Sequence, residues 1–97
     1  MRFDWDTKKA LSNFKKHQVS FEQALTAFDD PFALIEFDKG HSTAQEKREK
    51  LIGEGDPGVL VVVYTVRESG SVYRVISARR ASRKERSLYE EAKRVSI

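Results

Sequence analysis

Cysteine is absent from this 97-residue chain. That excludes disulfides, thiolate metal ligands and a cysteine nucleophile together, and makes the cell interior (the cytoplasm) the expected compartment. Stability must come from packing alone. Histidine is scarce: His17 and His41 stand 24 positions apart. Without cysteine that is too sparse for a stable zinc site, so no metal and no cofactor are expected. Long apolar runs are missing too. The longest, Val59 to Tyr64, is far short of the roughly 20 residues a membrane span needs. The opening residues, MRFDWDTKK, carry no apolar stretch behind the basic residue, so neither a secretory leader nor a membrane partner is expected. There is no P-loop, no dinucleotide fingerprint and no G-x-S-x-G elbow.

What is present suffices for a core. Apolar residues make up 39% of the chain, with six Phe, three Tyr and one Trp, which rules out extended disorder. The length fits one domain spanning residues 1–97. The net charge of +3 is unevenly spread: residues 70–97 carry eight basic groups against three acidic ones, whereas residues 1–69 are net negative. The excess at the C-terminal end is rich in arginine, whose planar fork suits phosphate oxygens. It reads either as a solvated basic face or as a footprint for a polyanion, RNA or DNA first.

The hydrophobic period alternates between helix and strand. After a short strand from Arg2 to Trp5, Asp6 is placed to cap a helix starting at Thr7, with Ala10, Leu11, Phe14 and His17 at helical spacing. Ser20 and Gln23 form a capping box for a second helix, which Asp29-Asp30-Pro31 ends. Ala33, Ile35 and Phe37 then alternate with Leu34, Glu36 and Asp38 as a half-buried strand, followed by a charged strand from about Glu46 to Gly53. Val59 to Arg67 is apolar on both faces, as a central strand is, and Val72 to Arg79 returns across the loop Glu68 to Ser71. Ser82 and Glu85 open a last helix through about Val95. The order β-α-α-β-β-β-β-α with short turns predicts an α+β fold, a mainly antiparallel sheet packed against helices.

The residues most suited to chemistry gather near the last two strands. Arg67 and Arg74 fall at the ends of paired strands, and Arg79 and Arg80 at the junction with the last helix, whose free N–H groups favour an anion. Strict alternation puts Val72, Arg74, Ile76 and Ala78 on one face and Tyr73, Val75, Ser77 and Arg79 on the other. Arg74 either opens on a wet groove or pairs with Glu36, Asp38 or Glu46. His17, after Lys15-Lys16, is either a cation stabilised by a helix C-terminus or an acid–base group; His41 has the weaker claim. Glu46 and Arg48 share a strand face as a surface pair, or Glu46 acts as a base. Trp5 and Tyr89 either stack on bases or fill the core.

The wording of the chain also resembles a known family. Phe3-x-Trp5-Asp6, Lys8, Asn13, Lys16-His17-x-Val19-Ser20-Phe21-Glu22-x-Ala24, Phe28-x-Asp30-Pro31, His41, Glu46-x-Arg48 and Gly53 are similar to the BrnT toxins. So is the closing stretch Arg74-Val75-Ile76-Ser77-Ala78-Arg79-Arg80-Ala81 with Glu85-Arg86 and Tyr89-Glu90. The resemblance implies a RelE-like fold and a type II ribonuclease toxin that stops translation. It further implies neutralisation by a BrnA-like antitoxin, and contact with operator DNA only through the toxin–antitoxin complex. One position departs: the family usually has glycine after the Lys-His pair, where this chain has Gln18, at a cost of up to about 1 kcal/mol if the helix ends left-handed.

For metal-independent RNA cleavage, Arg67, Arg74, Arg79 and Arg80 are expected to neutralise the phosphate, and His17, Glu46 and Tyr64 are the candidates for proton transfer. Lys15, Lys16, Arg48, Ser77, Arg83 and Arg86 are expected to bind the RNA. The rival reading is a non-catalytic basic domain that binds an acidic partner, or serves as co-repressor in a DNA-binding complex.

Overall fold

A computed structural model describes residues 1–96. The elements are β1 (Arg2–Asp4), α1 (Thr7–His17), α2 (Phe21–Ala27), β2 (Leu34–Phe37), β3 (Arg48–Gly55), β4 (Gly58–Arg67), β5 (Val72–Arg80) and α3 (Arg83–Ser96). The strands form one five-stranded sheet in the order β1-β5-β4-β3-β2. β2 through β5 pair antiparallel, but β1 runs parallel to β5, with Asp4 opposite Arg74. The sheet is therefore mixed. Residues 5–71 separate the first strand from its neighbour, so no hairpin fixes its direction.

Helices cover the sheet unequally. On one face Leu60, Val62 and Tyr64 of β4 and Val75 and Ala78 of β5 pack against Val19 and against Phe21, Ala24 and Ala27 of α2. Ring pairs among Phe3, Phe28, Tyr64 and Tyr73 extend that core. α2 comes close to β3 because Gly53 has no side chain; a Cβ there would lie 2.9 Å from the carbonyl oxygen of Ala27. On the other face, only Tyr89 of α3 joins Ile52 and Val61 in a second, smaller cluster. The Tyr89 hydroxyl donates to Asp30. Part of that face remains open.

α1 turns differently from the way its apolar spacing suggests. Asn13 is buried, and Ala10 and His17 are half-buried, whereas Leu11 and Phe14 are 66% and 51% exposed. Asn13 explains the rotation. Its amide nitrogen donates to the carbonyls of Val19 and Ala78, and its amide oxygen accepts from the Ala78 N–H. A buried backbone pair on β5 is thereby satisfied, which holds the polar residue inward. Gln18 closes α1 with φ 57° and ψ 29°, in the left-handed region, and its N–H donates to the Phe14 carbonyl at 2.8 Å.

β5 carries the irregularity that matters most for the site. Val63 faces Ser77, but the next residue, Tyr64, faces Val75, so Ile76 is an extra residue. This bulge breaks the side-chain alternation. Arg74, opposite Thr65, and Arg79, opposite Val61, consequently share the sparsely covered face, while Ala78 joins the core. The expectation that Arg74 and Arg79 lie on opposite faces is corrected on that ground.

Candidate active site

The open part of the sheet forms a hollow of about 360 Å³ floored by Val61, Val63, Ile76 and Ser77. Its polar rim comes from three elements: Arg48 and Lys50 of β3, Arg79 of β5, and Asp38 and His41 of the segment after β2. Alternation along β3 puts Arg48 and Lys50 on one side, opposite Thr65 and Val63. The Asp38–His41 turn is built locally. The Ser42 hydroxyl donates to the Asp38 carbonyl and accepts from the Arg48 N–H, tying the segment to the start of β3.

Carboxylates occupy much of this surface. Arg79 is gripped in a two-point fork, with Nη1 and Nη2 donating to the two oxygens of Glu85 at 2.7 and 2.8 Å. Those hydrogen bonds, above all, draw Glu85 down to about 2 despite its burial. Glu85 also accepts from the Ser82 N–H, so one side chain caps α3 and holds the arginine. Glu46 bridges Arg48 and Arg67, at 2.8 and 3.3 Å. The Arg48 hydrogen bond chiefly, helped by the charges of both arginines, keeps Glu46 below the usual carboxylate range. Lys50 pairs with Glu36 at 3.1 Å, and Arg74 with Asp4 at 3.3 Å. The expected partners of Arg74 were Glu36, Asp38 or Glu46; the parallel register of β1 brings Asp4 there instead.

The hollow is thus a balanced array of ion pairs rather than a strongly electropositive funnel. It still offers donors. Among the described residues Arg48 uses only Nε, leaving both terminal nitrogens for a ligand. The Glu36 partner of Lys50 is 59% exposed in its side chain, and ion pairs so open to water hold with only about 0–1 kcal/mol.

Asp38 and His41 make the best acid–base arrangement on this face. Both oxygens of Asp38 lie near His41 Nδ1, at 3.0 and 3.1 Å. The carboxylate is only 15% exposed, while the imidazole is 72% exposed. In the neutral imidazole Asp38 favours the tautomer with the proton on Nδ1, and Nε2 is then the ring's acceptor.

Several expected site residues lie elsewhere. Tyr64 belongs to the core face, stacked on Tyr73, and its burial first of all pushes the phenol well above the ordinary tyrosine range. A hydroxyl held that way cannot exchange protons with a ligand on the opposite side. Arg80 stands opposite Leu60, a core-face residue, and reaches the Pro57 carbonyl. His17, Lys15 and Lys16 end α1, in the layer over the opposite face. Arg83 and Arg86 are exposed on the first turns of α3. Trp5 packs edge-on against Phe21, and Tyr89 is buried. The structure therefore groups Arg48, Ser77 and Arg79, with Arg67, Arg74 and Glu46 on the same face. It leaves His17, Tyr64, Arg80, Lys15 and Lys16 out.

Asp38, His41 and Lys50 were not among the expected site residues, His41 ranking behind His17. Lys50 carried a signal, two places after Arg48 in a strand, and Asp38 another, three places before a histidine in a polar turn. Among the described residues no helix is long and apolar enough to cross a membrane. No curated protein compared with the chain matches it. Residues 5–85 match the model of the BrnT family, the ribonuclease toxins of type II toxin–antitoxin systems, and the chain belongs to that family.

Proposed function

We propose that this chain is a metal-independent endoribonuclease whose active site is the open hollow over β3, β4 and β5, and that it inhibits translation by cutting RNA. The family membership supplies the reaction class, and the Asp38–His41 pair beside Arg48, Lys50 and Arg79 is the observation that carries the assignment. The ribose 2′-oxygen attacks the adjoining phosphorus while His41 Nε2 takes its proton. The P–O5′ bond breaks, the leaving 5′-oxygen takes a proton from water while protonated His41 returns its own to solvent, and the products are a 2′,3′-cyclic phosphate and a 5′-hydroxyl. Arg48, Lys50 and Arg79 donate to the phosphate oxygens as charge builds, with the ion pairs keeping the guanidinium groups in place beforehand. Glu46, held ionised between two arginines, serves as a positioning residue rather than as the base.

Neutralisation is assigned to a BrnA-like antitoxin, with operator DNA reached only through that complex. The carboxylate-matched arginines favour a second reading, in which the domain binds partners and breaks no bond. End-mapping of RNA after inducible expression separates the two. The nuclease reading predicts new 2′,3′-cyclic phosphate ends, and no cleavage when the attacked nucleotide is a 2′-deoxy one. Growth arrest without new RNA ends would overturn it.

A further inference from the structure

α1 presents an apolar ridge to solvent that neither the fold nor the hollow uses. Leu11 and Phe14 project outward at 66% and 51% exposure. They separate a hollow of about 440 Å³, bounded by Lys8 and Lys15, from one of about 270 Å³ whose apolar walls are Trp5, Ala10 and Phe21 and whose lining includes one carboxylate, Glu22, outside α1. The helix TKKALSNFKKH contains four lysines and no carboxylate. Lys8 and Lys15 stand one heptad apart, about 10 Å along the axis, with the apolar pair between them. An apolar stripe with cationic ends is complementary to an amphipathic helix that has apolar anchors and a carboxylate at each end.

We infer that the Leu11–Phe14 ridge of α1 is the docking surface for an acidic amphipathic helix of the antitoxin. The partner rests on the toxin–antitoxin reading; the surface and its chemistry rest on α1. The helix so bound carries Asp or Glu one heptad apart, facing Lys8 and Lys15, and its Leu-type side chains sit in the two hollows. A symmetric contact between two copies of this chain through α1 would set lysines against lysines. A nucleic acid would satisfy the lysines but leave the aliphatic Leu11 uncovered. The ridge is on the α1 layer, away from the Asp38–His41 hollow, so docking here leaves that hollow free.

The test is titration of this chain with its cognate antitoxin, comparing wild type, Leu11→Ser/Phe14→Ser and Lys8→Glu/Lys15→Glu, each first shown by thermal melting to fold. Both double variants are expected to bind the antitoxin at least tenfold more weakly, with added salt narrowing the deficit of the lysine pair only. Leu11→Ser/Phe14→Ser should cleave RNA within about twofold of wild type, and Lys50→Ala should keep full antitoxin affinity. Antitoxin affinity within twofold of wild type in Leu11→Ser/Phe14→Ser would overturn the surface while leaving the family reading intact. A loss of RNA affinity in that variant without loss of antitoxin affinity would assign the ridge to RNA instead and also overturn it. Failure of the wild-type chain to bind the antitoxin at all would remove both the partner and the proposal.

Discussion

Arg79 and Glu85 are joined by two parallel hydrogen bonds of 2.7 and 2.8 Å, linking the end of β5 to the first turn of α3. The fork fixes an arginine of the hollow and the start of a helix with one carboxylate. Glu85 falls from an ordinary 4.5 to about 2 when folded. A group whose folded value is depressed contributes stability that is complete above its unfolded value and lost as pH falls toward the folded one. Wild-type stability should therefore decline from about pH 4.5 toward pH 2, beyond what the other carboxylates cause. Glu85→Gln should be less stable at pH 7 by about 1–2 kcal/mol, the arginine being partly open to solvent, and this gap should shrink across that window. Urea unfolding at a series of pH values measures both.

The Asp38–His41 pair makes a kinetic prediction. His41→Ala should lower single-turnover RNA cleavage by about 10²- to 10⁴-fold, the usual contribution of a positioned acid–base group. Asp38→Asn removes the anionic acceptor for Nδ1–H but leaves the ring. Its cleavage rate should fall less, about tenfold or more, with KM little changed. His17→Ala, by contrast, should cut RNA at close to the wild-type rate.

Tyr64 separates core from catalysis. Tyr64→Phe keeps the ring stacked on Tyr73 and removes only a hydroxyl on the far side of the sheet from the hollow. Cleavage should stay within about twofold of wild type, whereas Tyr64→Ala should lose about 3–5 kcal/mol of stability through the cavity it leaves. Parallel rate and melting measurements distinguish the two effects.

Gln18 predicts a gain. Its φ of 57° is one that glycine adopts without the Cβ penalty. Gln18→Gly should stabilise the domain by about 0.5–1 kcal/mol, less whatever the exposed side-chain hydrogen bond to the Lys15 carbonyl contributes. Chemical denaturation reads the difference directly.

The element order was legible in the sequence because caps and periods agreed. Asp6, the Ser20–Gln23 box and the Ser82–Glu85 pair all start helices where expected, and the two-face apolar run became the central β4. The exceptions each turn on long-range contacts that a local pattern does not encode. Asn13 outcompetes Leu11 and Phe14 for the inward side of α1 because it satisfies the Ala78 backbone, 65 positions away. The parallel β1 pairs with the last strand and so provides Asp4 for Arg74. The Ile76 bulge moves Arg74 to the side of Arg79. Charge summed along the last third of the chain pointed to an electropositive site, but it could not register carboxylates folding in from β1, β2, α3 and the segment before β3.

With the hollow as the active site, chemistry belongs to one face of β5 and not to the other. Arg79 and Arg80 are adjacent in sequence yet stand opposite Val61 and Leu60, on opposite faces of the sheet. The most direct test is the single-turnover cleavage rate of one RNA by Lys50→Ala, Arg79→Ala and Arg80→Ala, each first confirmed folded. Losses of about a hundredfold are expected for the first two, of the order seen when a charge-stabilising donor is removed, and a rate within about threefold of wild type for Arg80→Ala. Equal loss in Arg79→Ala and Arg80→Ala with Lys50→Ala unimpaired would contradict the hollow as the active site.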